Sequence, residues 1–129
     1  MRRWIVESFG EPADVWRLEE HAPSFEPGPG QVRVKVEAAG LGLPDVLMCH
    51  NNYPLTPPLP FTPSQEAAGE VVAIGEGVDD ALLGTRVLGP TLFQAQRGGL
   101  AEECLMQGSG SLSGTLGGAL PIPCLLYTS

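Results

Sequence analysis

The sequence predicts a mainly β domain, a small barrel or sandwich carrying one or two short helices. Three observations lead there. Gln31-Val-Arg-Val-Lys-Val-Glu37 alternates polar and apolar side chains with the period of two that a strand requires. Other short apolar runs follow it and precede it as far as Met106, each bounded by turn residues, which is the spacing of small all-β folds. Between them, residues 51–63 hold prolines at 54, 57, 58, 60 and 63, so that stretch is extended loop.

Residues 3–8 and 15–21 are expected to pair as a first hairpin, joined by Gly10-Glu-Pro-Ala-Asp14. Glu26-Pro-Gly-Pro-Gly30 then breaks the chain. In the strand over 31–37, Val32, Val34 and Val36 face the core while Arg33, Lys35 and Glu37 face solvent. Pro44 suits a first helical turn, and Val46, Leu47 and Met48 supply an apolar face, predicting a short helix over 44–50. Strands are expected over 70–74, 85–88 and 100–106, with Gly75-Glu-Gly77 as a turn.

Charge narrows the function classes. Seven basic against 15 acidic side chains give a net charge of −8, which disfavours a phosphate backbone or an anionic membrane as partner. The three cysteines, at 49, 104 and 124, show no zinc-site spacing and no even disulfide framework. Two arginines near the start are followed at once by Glu7 and Glu11, which fits neither a signal peptide nor a membrane span, so a cytoplasmic protein without membrane insertion is expected.

Charge also stops abruptly. Glu102 and Glu103 are the last charged residues, and 107–118 is rich in glycine and serine, which reads as flexible chain. The domain is therefore expected over 1–106, with 107–129 an uncharged tail. Cys124-Leu-Leu-Tyr-Thr-Ser129 can be encoded by TGTCTCTTATACACATCT, which resembles a transposon-end adapter sequence. The expectation is a non-native or frame-shifted tail, which leaves Cys124 without structural meaning.

A family resemblance rests on several motifs in order. These are Ala39-Gly-Leu-Gly-Leu-Pro-Asp-Val-Leu-Met48 with Tyr53-Pro54, Pro60-Phe-Thr-Pro-Ser-Gln-Glu-Ala-Ala-Gly69, Gly84-Thr-Arg-Val-Leu-Gly89 and Gly98-Gly-Leu-Ala-Glu-Glu-Cys-Leu-Met106. Together they resemble the N-terminal domain of medium-chain dehydrogenases/reductases, in the zinc-independent NADPH:quinone oxidoreductase-like branch. The resemblance implies a GroES-like, alcohol dehydrogenase N-terminal-like, partly open β-barrel. It implies hydride transfer from NADPH to a small quinone or an activated alkene such as an enone, in a parent enzyme that is a homodimer.

Site residues follow from the same alignment of motifs. Tyr53 sits where related reductases face the substrate, so its phenol could donate a hydrogen bond or proton; equally, it could simply pack on Pro54. Glu66 corresponds to a glutamate at the base of the family's cleft, and positioning is favoured for it over proton transfer. Gly42, Leu43, Asp45 and Gln65 complete the expected cleft, with Asp45 read as a cap for free helix amides. Many relatives carry asparagine at the position of Gly42, so one polar contact is missing.

Zinc-dependent relatives place cysteine where this chain has Gly42 and histidine where it has Gln65, and neither residue here is a zinc donor of that kind. Cys49-His50 are neighbours on a helix, about 100° apart, with no second pair to complete a site. No metal is expected. Gly108-Ser-Gly110-Ser-Leu-Ser-Gly114 is no dinucleotide loop either, since its third glycine falls one place late and no β-branched run precedes it. NADPH would therefore bind through a Rossmann domain absent from the chain. The expected function is that of an inactive N-terminal piece of such a reductase; the alternative is a free-standing barrel acting as a binding or assembly module.

Overall fold

In a computed structural model, residues 1–108 and 118–122 are described. The N-terminal hairpin forms as the sequence suggests: β1 (Arg3–Val6) pairs antiparallel with β2 (Trp16–Glu19), bringing Trp4 opposite Leu18. Its connection is not plain loop. Pro12 opens a four-residue helix, α1 (Pro12–Val15), and Gly10 N–H donates to Cys49 O at 2.8 Å, so the turn is fastened to the rest of the molecule.

Five strands make the main sheet, in the order β6-β3-β4-β5-β7. They are β3 (Gln31–Gly40), β4 (Glu66–Ile74), β5 (Arg86–Pro90), β6 (Glu103–Gln107) and β7 (Leu120–Pro121), and every pairing is antiparallel. The sheets do not close on themselves, so the architecture is a partly open barrel. α2 (Leu43–Cys49) packs beside it. One-turn 3-10 segments lie at Asp80–Leu82 and Phe93–Ala95.

The alternation in β3 works as expected at its start, where Val32 and Val34 are fully buried. They join Val71, Val87, Cys104, Met106 and Ala119 in the larger core cluster. Arg33, expected in solvent, is instead half-buried, because Glu103 from β6 lies 3.4 Å from its Nε and Phe25 O accepts from its guanidinium. A second cluster, Val6, Met48, Cys49 and Phe61, ties the hairpin to α2 and the proline-rich loop. Past Val36 the register shifts, and Ala38 and Ala39 come out of the core opposite Ala68 and Ala67. That shift turns the far end of β3 from core wall into cleft floor.

β4 begins at Glu66, four residues before the expected start, because Ala67, Ala68 and Gly69 are held by β3 on one side and β5 on the other. The expected domain end at Met106 falls within β6, and residues 118–122 add β7 along β5, with Ala119 fully buried. Most of the glycine-rich stretch, and Cys124, lie outside the described residues.

Burial also silences the two described cysteines. Cys104 has its thiol pushed up to about 12 by desolvation in the core. Cys49 is raised in the same direction by burial; the Trp16 indole N–H, donating to its sulfur at 2.8 Å, pulls the other way and the nearby Asp45 adds to the rise. Thiolate is the nucleophile, so raising the Cys104 thiol from an ordinary 9 to about 12 slows its alkylation roughly a thousandfold relative to the same cysteine in the unfolded chain. Peptide mapping after iodoacetamide at pH 8 checks this; rapid native labelling at Cys104 would contradict the packing. The unfolded thiol ionises near 9 and the folded one only near 12, so this group's contribution to stability is intact below pH 9 and is lost as pH rises between those values.

Candidate active-site cleft

The cleft is built where three strand ends meet α2. Its floor is the small-residue end of β3 (Ala38, Ala39, Gly40) against Glu66, Ala67 and Ala68 of β4 and Gly89 and Pro90 of β5. One wall is α2, through Gly42, Pro44 and Asp45, and the other carries Tyr53, Leu55, Phe93, Leu88 and Leu120. Side chains of minimal size leave the floor low, and the open cleft holds about 880 Å³, ample for a two-ring organic molecule.

Of the six residues singled out in the sequence, five line this one space: Gly42, Asp45, Tyr53, Gln65 and Glu66. Leu43 does not; it stands at the first turn of α2 with 68% of its surface exposed.

Asp45 is the buried member, 3% exposed, and its two oxygens are both engaged. Oδ2 accepts from Gly42 N–H at 3.0 Å, while Gly42 O accepts from Asp45 N–H at 3.0 Å, closing the N-terminus of α2. Oδ1 accepts from Ser64 N–H at 2.8 Å, nineteen residues away in sequence. The carboxylate is thus a clamp between α2 and the turn before β4.

Ser64, within the Pro60-to-Gly69 motif but with no role expected of it there, is the centre of that turn. It is fully buried with φ of 86°, a left-handed conformation unusual for serine, and it is held there from all sides. Its Oγ donates to Gly40 O at 2.8 Å; its carbonyl accepts from Thr91 Oγ1 at 2.7 Å and from Gly99 N–H at 2.9 Å. Thr91 N–H donates to Gln65 O at 2.8 Å. This lattice fixes the backbone from which Gln65 and Glu66 project. Sequence reasoning missed it because the partners are contributed by three distant segments.

Glu66 is exposed, beside Gly40, which has no side chain. Its carboxylate lies over Gly40, where an added Cβ would come within 2.7 Å of Oε1. Among the described residues it has no ion pair and no hydrogen bond. Tyr53 is half-buried: its ring packs on the Val6, Met48, Cys49 and Phe61 cluster, and it lines the cleft.

Cys49 and His50 diverge. The cysteine sulfur is buried against Trp16, whereas His50 is at the surface, 3.4 Å from Glu11. Among the described residues no group of three or more His, Cys, Asp or Glu is arranged to hold a metal ion. No described helix is long and apolar enough to cross a membrane.

Comparison with known proteins decides the family. The alcohol dehydrogenase GroES-like domain matches residues 28–122, most of the chain. The chain belongs to that family. The synaptic vesicle membrane protein VAT-1 homolog of Rattus norvegicus is 52% identical over 88 residues, covering 68% of this chain and 22% of that protein. Quinone oxidoreductase-like protein 2 homolog of Nematostella vectensis is 44% identical over 79 residues, 61% of this chain and 21% of its own length. Among solved structures, a mycobacterial protein complexed with NADPH superposes with a TM-score of 0.71 at 28% identity, over 96% of this chain and 33% of that one. A mycobacterial quinone oxidoreductase gives 0.68 at 33% identity, over 81% and 31%. The chain therefore spans about a fifth of these curated relatives and a third of these structures. These relatives and structures include proteins named as quinone oxidoreductases or quinone oxidoreductase-like.

Proposed function

We propose that this chain is the acceptor-binding domain of a cytoplasmic reductase that transfers hydride from NADPH to a quinone or enone, and that it does not turn over alone. The observation that carries the reading is the cleft: an apolar, small-floored space of about 880 Å³ with Tyr53 on one wall and an exposed carboxylate at its floor. Among the described residues lining it there is no lysine or arginine, and the one helix start, after Gly40 and Gly42, is a seven-residue helix already closed by the Asp45 carboxylate, which would repel a pyrophosphate. The lining fits a planar, uncharged acceptor and the transferring end of the cofactor. The phosphates would be held by a separate Rossmann domain of the full-length protein.

When bound, NADPH supplies the hydride. The chain's own residues then have three tasks. The Ala38–Gly40 floor admits a flat ring close to the backbone, which sets distance and orientation for transfer. Tyr53 offers a phenolic O–H to the acceptor oxygen as negative charge develops on it. Asp45, acting through Ser64, holds the turn that carries Gln65 and Glu66 at a constant distance from α2.

An NADPH oxidation assay with a simple quinone tests this. The 129-residue chain is expected to show no turnover and the full-length parent to show it, with Tyr53→Phe lowering kcat of the parent at least tenfold while KM changes little. Turnover by the isolated chain would overturn the division of labour, and a full-length parent without turnover would favour a binding or assembly module.

A further inference from the structure

We propose that Glu66 selects the acceptor by charge, making the cleft a site for uncharged quinones or enones and excluding anionic ones; the inference rests on the acceptor reading of that cleft. Four observations meet here. Glu66 brings a formal negative charge to the cleft floor, exposed and, among the described residues, without an ion pair or hydrogen bond to neutralise it. The other acidic lining residue, Asp45, has both oxygens committed to the amides of Gly42 and Ser64, so it is unavailable to a ligand, and its charge has the same sign as that of Glu66 and does not offset it. No described lysine or arginine lines the space, and the nearby strand's Arg86 is drawn to Glu37 at 3.0 Å. Apart from the neutral amide of Gln65, the rest of the lining is alanine, glycine, proline, leucine and aromatic side chains, which bind flat apolar rings without regard to charge.

A carboxylate or sulfonate on the acceptor would meet Glu66 across a short, partly apolar gap. The repulsion there exceeds its value in open water, yet remains screened because Glu66 is exposed. The expected discrimination is therefore modest, roughly three- to tenfold in Kd, and sensitive to salt. Orientation follows as well: a ring bearing one polar edge enters with its carbonyl directed away from Glu66 and toward Tyr53. A merely structural Glu66 would produce neither the charge preference nor its salt dependence.

The test is a titration of the full 129-residue chain, followed by amide chemical shifts, with 1,4-naphthoquinone and with its 2-sulfonate. At low salt the neutral quinone is expected to bind three- to tenfold more tightly. That ratio should fall toward one in Glu66→Gln and, independently of any variant, in the original chain at 1 M NaCl. Equal binding of the two probes, or a ratio unchanged by both salt and substitution, would overturn the charge filter while leaving the acceptor cleft standing. Failure of the neutral quinone to shift any cleft amide would overturn both.

Discussion

Replacing Gly69 with alanine is expected to abolish the cooperative thermal transition of the domain. Gly69 lies in the middle of β4 with β3 and β5 on either side, and a Cβ at that position would stand 1.9 Å from Lys35 O and 2.8 Å from Lys35 C. Both are backbone atoms of a central strand, so no rotamer change relieves the overlap; β3 and β4 must separate. Val34 and Val71, both fully or almost fully buried on these strands, lose their packing in the same movement. A cost above about 4 kcal/mol is expected, a large part of the stability of a domain this size. Gly40→Ala makes the contrast. There the nearest atoms to the added methyl, Oε1, Cγ and Cδ of Glu66 at 2.7–3.2 Å, are all side chain on an exposed residue that can change rotamer, so a near-normal transition should survive. Circular dichroism melts of the two variants separate backbone approach from a general intolerance of alanine in the sheet.

Asp45→Ala is expected to be the most damaging change within the cleft itself. It removes the acceptor of two backbone amides, Gly42 N–H and Ser64 N–H, from a site where the residue is only 3% exposed. Unpaired buried donors cost about 1–3 kcal/mol each, and bonds to a carboxylate lie toward the upper end. Ser64 N–H is left buried, whereas Gly42 is exposed and its N–H can turn to water, so a destabilisation of about 2–3 kcal/mol is expected. Amide exchange at Gly42 and Ser64 should accelerate before that of Val32 or Val87, because the clamp fails before the core. Asp45→Asn keeps one good acceptor and should lie between. Denaturant midpoints at unchanged slope would measure both; an Asp45→Ala loss below about 0.5 kcal/mol would show that the clamp carries no weight.

Much of this architecture is legible from local pattern. The period-two run at Val32, Val34 and Val36, the hairpin strands around Trp4 and Trp16, and the proline-initiated helix at Pro44 all fold where the residues place them. In each, side-chain periodicity and backbone preference agree. The departures share another cause. α1 is only four residues long, too short for periodicity, and is secured by Glu11 O accepting from Asp14 and Val15. Ala67-Ala68-Gly69 carry little strand preference of their own and become strand because neighbours pair on both sides. Arg33 alternates correctly yet is covered by Glu103 and Phe25, contributed by segments its own strand does not foreshadow.

The site divides in the same way. Tyr53, Glu66 and Gln65 are reachable through motif order, and Asp45 through helix capping. Ser64 is not, since a left-handed serine is dictated by Asp45, Gly40, Thr91 and Gly99 acting together. Leu43, expected in the cleft from the family motif, stands exposed at the first turn of α2 and is not among the residues lining this space.

The central claim is that the acceptor binds between α2 and the ends of β3, β4 and β5. The same naphthoquinone titration locates it directly. Shifts are expected to concentrate at Ala39, Gly40, Gly42, Tyr53 and Glu66, with the Trp4 and Leu18 face of the hairpin unmoved; shifts confined to that hairpin face would contradict the claim.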